Sequence, residues 1–81
     1  MTLKQLLDAI YCWDGKIVIR DLDMMKIAEF NYMWDSVLVI DERATYGRPS
    51  LYLDWLVVGF TPDCHAIDSD EVWLEVIVKE K

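Results

Sequence analysis

Residues 2–21, Thr2-Leu3-Lys4-Gln5-Leu6-Leu7-Asp8-Ala9-Ile10-Tyr11-Cys12-Trp13-Asp14-Gly15-Lys16-Ile17-Val18-Ile19-Arg20-Asp21, change hydrophobic period part-way along, and that change decides the fold. Leu3, Leu6, Leu7 and Ile10 recur at helical spacing and make one apolar stripe, while Lys4, Gln5 and Asp8 face water. Thr2 and Gln5 stand three apart, as the two members of a capping box do. Asp14-Gly15 offers a stop, because Gly takes the left-handed conformation that ends helices. The spacing predicts an amphipathic helix over residues 2 to about 12. From Lys16 onward Ile17-Val18-Ile19 are stiff at χ1 and suit a pleated backbone, so residues 16–21 read as a first strand.

Beyond a turn at Leu22-Asp23-Met24, residues 25–34 alternate as a second strand, with Ala28, Phe30, Tyr32 and Trp34 on one side. Residues 37–42 read as a third strand, 51–60 as a fourth and 72–78 as a fifth. Residues 43–50, with Gly47 and Pro49, and 61–70, with Pro62, read as loops. Short connections favour antiparallel neighbours, so the expected fold is α+β: one domain spanning residues 1–81, with an N-terminal helix packed on an antiparallel meander of about five strands. Residues 11–21 match 32–42 at Tyr, Trp, Asp, Val and Ile. A third copy keeps only Trp55, fewer units than a solenoid needs.

With 54% hydrophobic residues and only three Gly and two Pro in 81, the chain is no disordered or collagen-like segment. Eight Lys and Arg against fifteen Asp and Glu give a net charge of −7, which opposes a phosphate backbone and favours a basic partner surface. Two cysteines, Cys12 and Cys64, are too few for a disulfide framework, so a reducing compartment is expected. Charges interrupt the opening apolar residues and no run approaches the ~20 apolar residues of a membrane span, so the expectation is a cytoplasmic protein without a membrane partner.

The residues that could carry catalysis are few. His65 is the only histidine, and its neighbour Cys64 points the opposite way in extended chain, so a Cys–His–Asp triad is not expected. Zinc would want paired ligands such as C-x-x-C, which are lacking. Asp63, Asp68, Asp70 and Glu71 fall in one loop without the spaced acids and Gly of a calcium loop. Gly15, Gly47 and Gly59 are isolated, so no phosphate loop forms. Arg43, Tyr46 and Arg48 are too small a footprint for nucleic acid on an acidic chain. The expectation is a non-enzyme with no cofactor, no metal and no direct nucleic-acid contact.

Strands four and five are nearly continuous in apolar residues, which predicts burial on both faces and more sheet than one short helix covers. Either the sheet curls on itself, or the chain binds a partner or a second copy of itself. Acidic residues fall at turns and strand ends, suited to a basic partner. Asp41, Glu42, Tyr46, Trp55, Asp68, Asp70 and Glu71 are the candidate contact residues, the aromatics as anchors and the acids as rim.

The opening Thr2-Leu3-Lys4-Gln5-Leu6-Leu7-Asp8, the segment Lys16-Ile17-Val18-Ile19-Arg20-Asp21 and the closing Leu74-Glu75-Val76-Ile77-Val78 cover about a quarter of the chain. In that order they resemble small acidic proteins of phages and conjugative elements. Residues 37–60 depart from the pattern. The resemblance implies a setting in which such proteins, anti-CRISPR inhibitors among them, block host defence complexes by direct binding. It assigns no binding residue. The functional expectation is an acidic inhibitor of a nucleic-acid-acting complex; the alternative is an assembly protein that forms a homodimer through an apolar sheet face.

Overall fold

A computed structural model describes residues 1–10, 15–32, 37–64 and 72–80. Helix α1 (Leu3–Ala9) begins with the expected reciprocal cap: Gln5 N donates to Thr2 Oγ1 at 3.2 Å and Thr2 N to Gln5 Oε1 at 2.8 Å. Seven residues fall short of the ~12–15 at which an isolated helix is marginal, so tertiary contacts hold it. Leu3 N donates to Trp55 O and Lys4 N to Leu53 O, both at 2.9 Å, which satisfies amides that the helix itself leaves unpaired. Leu3, Leu6 and Leu7 are buried, and the buried Tyr32 hydroxyl donates to Leu7 O at 2.6 Å. Residues 11–12, the expected end of the helix, lie outside the described residues.

Five strands follow: β1 (Gly15–Arg20), β2 (Lys26–Tyr32), β3 (Ala44–Tyr46), β4 (Leu56–Cys64) and β5 (Val72–Lys79). The protein is α+β, with the strands in one sheet ordered β3-β2-β1-β5-β4. All pairs are antiparallel except β1 with β5. The order differs from a simple meander because β5 returns beside β1, joining the β1–β2 and β4–β5 hairpins through a parallel seam. The segment between β2 and β4 is long enough to permit that crossing.

Residues 37–42, expected as a strand, lie in a 3-10 helix (Val37–Arg43) that places Ile40 at 4% exposure in the core. Apolar β-branched residues fit either conformation, and burial of Ile40 settles the matter here. The short β3 therefore comes from the expected loop. Residues 51–55 do not begin strand four: a second 3-10 helix (Pro49–Tyr52) opens with Pro at its first position, where its missing N–H costs nothing, and β4 starts at Leu56. The internal match at 11–21 and 32–42 is no structural repeat where both copies are described, since one is strand and the other 3-10 helix.

Cross-strand rows form the core. Phe30, Ile17 and Leu74 stand side by side across β2, β1 and β5, as do Ala28, Ile19 and Val76, and α1 and Ile40 close over them. The Cα radius of gyration, 11.8 Å, matches the ~12 Å of a compact chain this long. Among the described residues no helix is long and apolar enough to cross a membrane.

Candidate functional site

Between the two core rows, on the opposite side of the sheet, runs a row of different character. Val18 pairs with Glu29 on β2 and with Glu75 on β5. Basic residues one row away answer both carboxylates. Arg20 Nε and Nη2 each reach Glu75 Oε1 at 2.9 Å, while Lys26 and Lys16 approach Glu29 Oε1 at 3.7 and 4.0 Å. Val18, in the row between these basic residues, is 4% exposed. The Thr45 hydroxyl donates to Glu29 Oε2 at 2.6 Å, and that bond, with the Lys26 and Lys16 charges, holds the Glu29 carboxyl below its ordinary range against some desolvation. The second face is thus polar across β1 and β2. On β4, Val58 and Phe60 are 48% and 56% exposed.

A bulge interrupts the alternation of β4. Val57 pairs with Val78, but the register shifts before Gly59, so Phe60 stands opposite Val76. Val57 and Phe60, three apart, therefore share a side, and strict alternation through β4 misassigns its second half.

The structure disperses the described contact candidates. Asp41, on the first 3-10 helix, accepts from Ser50 N at 2.9 Å on Oδ1 and from Ser50 Oγ at 2.5 Å on Oδ2, with Arg48 Nε at 3.9 Å. The Ser50 hydroxyl and amide, and then Arg48, hold its carboxyl below the usual value. Asp41 therefore caps the second 3-10 helix, a structural task. Glu42 beside it is exposed. Tyr46 ends β3, half exposed, with Lys26 Nζ 4.7 Å from its ring centroid. Trp55 lies elsewhere, partly buried against the core and edge-on to Tyr52 at 4.8 Å between centroids. Asp68, Asp70 and Glu71 lie outside the described residues, as do Cys12 and His65. No cluster of three or more His, Cys, Asp or Glu among the described residues is placed to hold a metal ion.

The turn of the β1–β2 hairpin was expected at Leu22-Asp23-Met24, but its exposed apolar surface was not. Asp21 Oδ1 accepts from the amides of Asp23 and Met25 at 2.9 and 3.0 Å, Met24 N donates to Asp21 O at 3.0 Å, and Arg20 Nη1 donates to Met24 O at 3.0 Å. Met24 is held at φ 66°, a left-handed conformation that bulky residues rarely adopt. Leu22, Met24 and Met25 consequently project 62%, 52% and 64% exposed. Three large apolar residues inside a five-residue turn are the signal that was available.

Comparison with known proteins finds no family model that matches the chain and no similar curated protein or solved structure.

Proposed function

We propose that this chain is a non-enzymatic binding protein of phage or mobile-element origin that occupies a basic surface of a host nucleic-acid-acting defence complex and blocks it. The observation that carries the reading is the segregation of charge. Among the described residues Lys16, Arg20, Lys26 and Arg48 are held by Glu29, Glu75 and Asp41, four bases to three acids, in a chain whose net charge is −7. Asp8, Asp23, Glu42 and Asp54, all exposed, sit on α1 and at turns around the sheet, where they can attract a basic surface. The origin rests on the order of sequence features described above.

The test is inhibition. Purified RNA-guided DNA-cleaving complexes are assayed with the chain in excess at low salt. The reading expects dose-dependent loss of cleavage by at least one of them, relieved when Glu42 and Asp54 are both changed to Lys. Unchanged cleavage across a panel of such complexes overturns it.

A second reading, self-association, draws on β4. Within the sheet this edge strand pairs with β5, its other edge being bridged only at its start, by Thr2 to Leu56; it presents Val58 and Phe60 to solvent and leaves open space around Gly59. Pro62 and the bulge work against edge pairing. Light scattering from ~0.1 to ~1 M salt separates the two: an apolar dimer persists throughout, whereas a monomer at all salt concentrations removes this reading.

A further inference from the structure

The β1–β2 hairpin, Trp55 and the end of β5 border a shallow, open cavity of about 180 Å³. Pockets for cofactors and drug-sized ligands run to ~300–1,000 Å³, so this one is too small for a nucleotide. At ~30 Å³ per water it spans about six waters, the scale of one long side chain. Trp55 and Leu22 supply apolar wall, while Asp21, Asp23 and Glu80 set three carboxylates against the single ammonium of Lys79. An aromatic wall with an excess of two negative charges selects a cation. A guanidinium fits best, because it is weakly hydrated, stacks on aromatic faces and takes carboxylates through a planar fork.

The surroundings suit a protein rather than a free small molecule. Leu22, at the cavity wall, belongs with Met24 and Met25 to the exposed apolar hairpin tip. Methionine adapts to varied partner surfaces, and an apolar patch beside a charged rim is the usual anatomy of a docking surface. The hydrogen bonds that Asp21 accepts and Arg20 donates hold the tip in place before any partner arrives, which lowers the ordering cost of binding.

We propose that this cavity receives an arginine side chain of a basic protein partner, with Leu22, Met24 and Met25 packing on the apolar surface next to it. The proposal rests on the reading of the chain as a binder of basic surfaces and gives that reading a location. Of the candidate contact residues, Trp55 lines this cavity, whereas Tyr46 and Asp41 lie away from it.

The full ¹⁵N-labelled chain is titrated with N-acetyl-arginine methylamide and, separately, with its neutral citrulline isostere, and followed by NMR. The arginine compound is expected to shift the Trp55 indole N–H and the amides of residues 21–25 and 79–80, and the citrulline compound is not. Asp23→Asn combined with Glu80→Gln, both at exposed positions, should weaken binding ~3–10-fold, while Lys79→Gln should strengthen it ~2-fold. Equal shifts with citrulline, or shifts spread evenly over all acidic turns, overturn the proposal. A deca-arginine peptide serves as the second probe at the same low salt. If it binds and leaves Trp55 unmoved, the cavity assignment fails while the wider reading stands; if it does not bind at all, both fail.

Discussion

Tyr32→Phe removes one oxygen and tests how the short helix is held. The Tyr32 side chain is 5% exposed, and its hydroxyl donates to Leu7 O at 2.6 Å, fastening the end of α1 to β2. Deleting the donor forfeits a net ~0.5–1.5 kcal/mol and leaves a buried carbonyl with one partner fewer, for a combined loss of about 2 kcal/mol. A domain of this length has a total stability of only ~4–12 kcal/mol, so the loss is large in proportion. It corresponds to a fall in Tm of roughly 8–16 °C, or in the urea midpoint of roughly 1–2 M at an m-value of ~1–2 kcal/mol/M. Far-UV circular dichroism during thermal and urea unfolding reads both. Tyr46→Phe, at a half-exposed position, is the control and should change stability by less than ~0.5 kcal/mol. A Tm within ~2 °C of the parent for Tyr32→Phe would refute the argument that this bond fastens the helix.

Gly47 sits at φ +66°, and a Cβ added there would lie 2.4 Å from Ile27 O, so Gly47→Ala should cost ~2 kcal/mol or more in urea unfolding. Gly59→Ala, with nothing within 4 Å, should change stability by less than ~1 kcal/mol in the same assay. Glu29 and Asp41 both have folded pKa values below their ordinary 4.5 and 3.8, so the stability they contribute is present above those values and is lost as pH falls through the lower folded ones. Tm should be nearly level above about pH 5 and decline below about pH 4, and Glu29→Gln should lower the neutral-pH Tm while flattening the acid decline. An acid decline as steep in Glu29→Gln as in the parent would contradict the assignment.

Where local chemistry and tertiary packing agree, the sequence was enough. Thr2 and Gln5 announce the start of α1, and Ile17-Val18-Ile19 announce β1, because capping and χ1 stiffness are properties of neighbouring residues. Residues 37–43 were harder, since an apolar run of that length has no period that separates strand from helical turn, and only the place of Ile40 under the core decides it. The strand order was hidden for another reason: pairing β5 with β1 joins residues more than fifty apart, which no local pattern records. In β4 one extra residue at Val58 reversed the phase of everything after it.

The candidate surface was only partly readable for similar reasons. Trp55 was singled out as an anchor and does line the cavity beside the hairpin. Asp41 was chosen for its charge, but its partner Ser50 lies nine positions on and makes it a cap. The exposure of Leu22, Met24 and Met25 follows from Asp21 fixing the turn, a consequence of side-chain to backbone bonds that a pattern of apolar residues does not carry.

The most direct test of the central claim is the rate at which the chain associates with an RNA-guided DNA-cleaving complex that it inhibits, measured by stopped flow from ~0.05 to ~0.5 M salt. If acidic turns steer the chain onto a basic surface, the association rate constant should fall at least ~10-fold across that range while the dissociation rate changes little. An association rate indifferent to salt would contradict the account and transfer the weight of recognition to apolar contact alone.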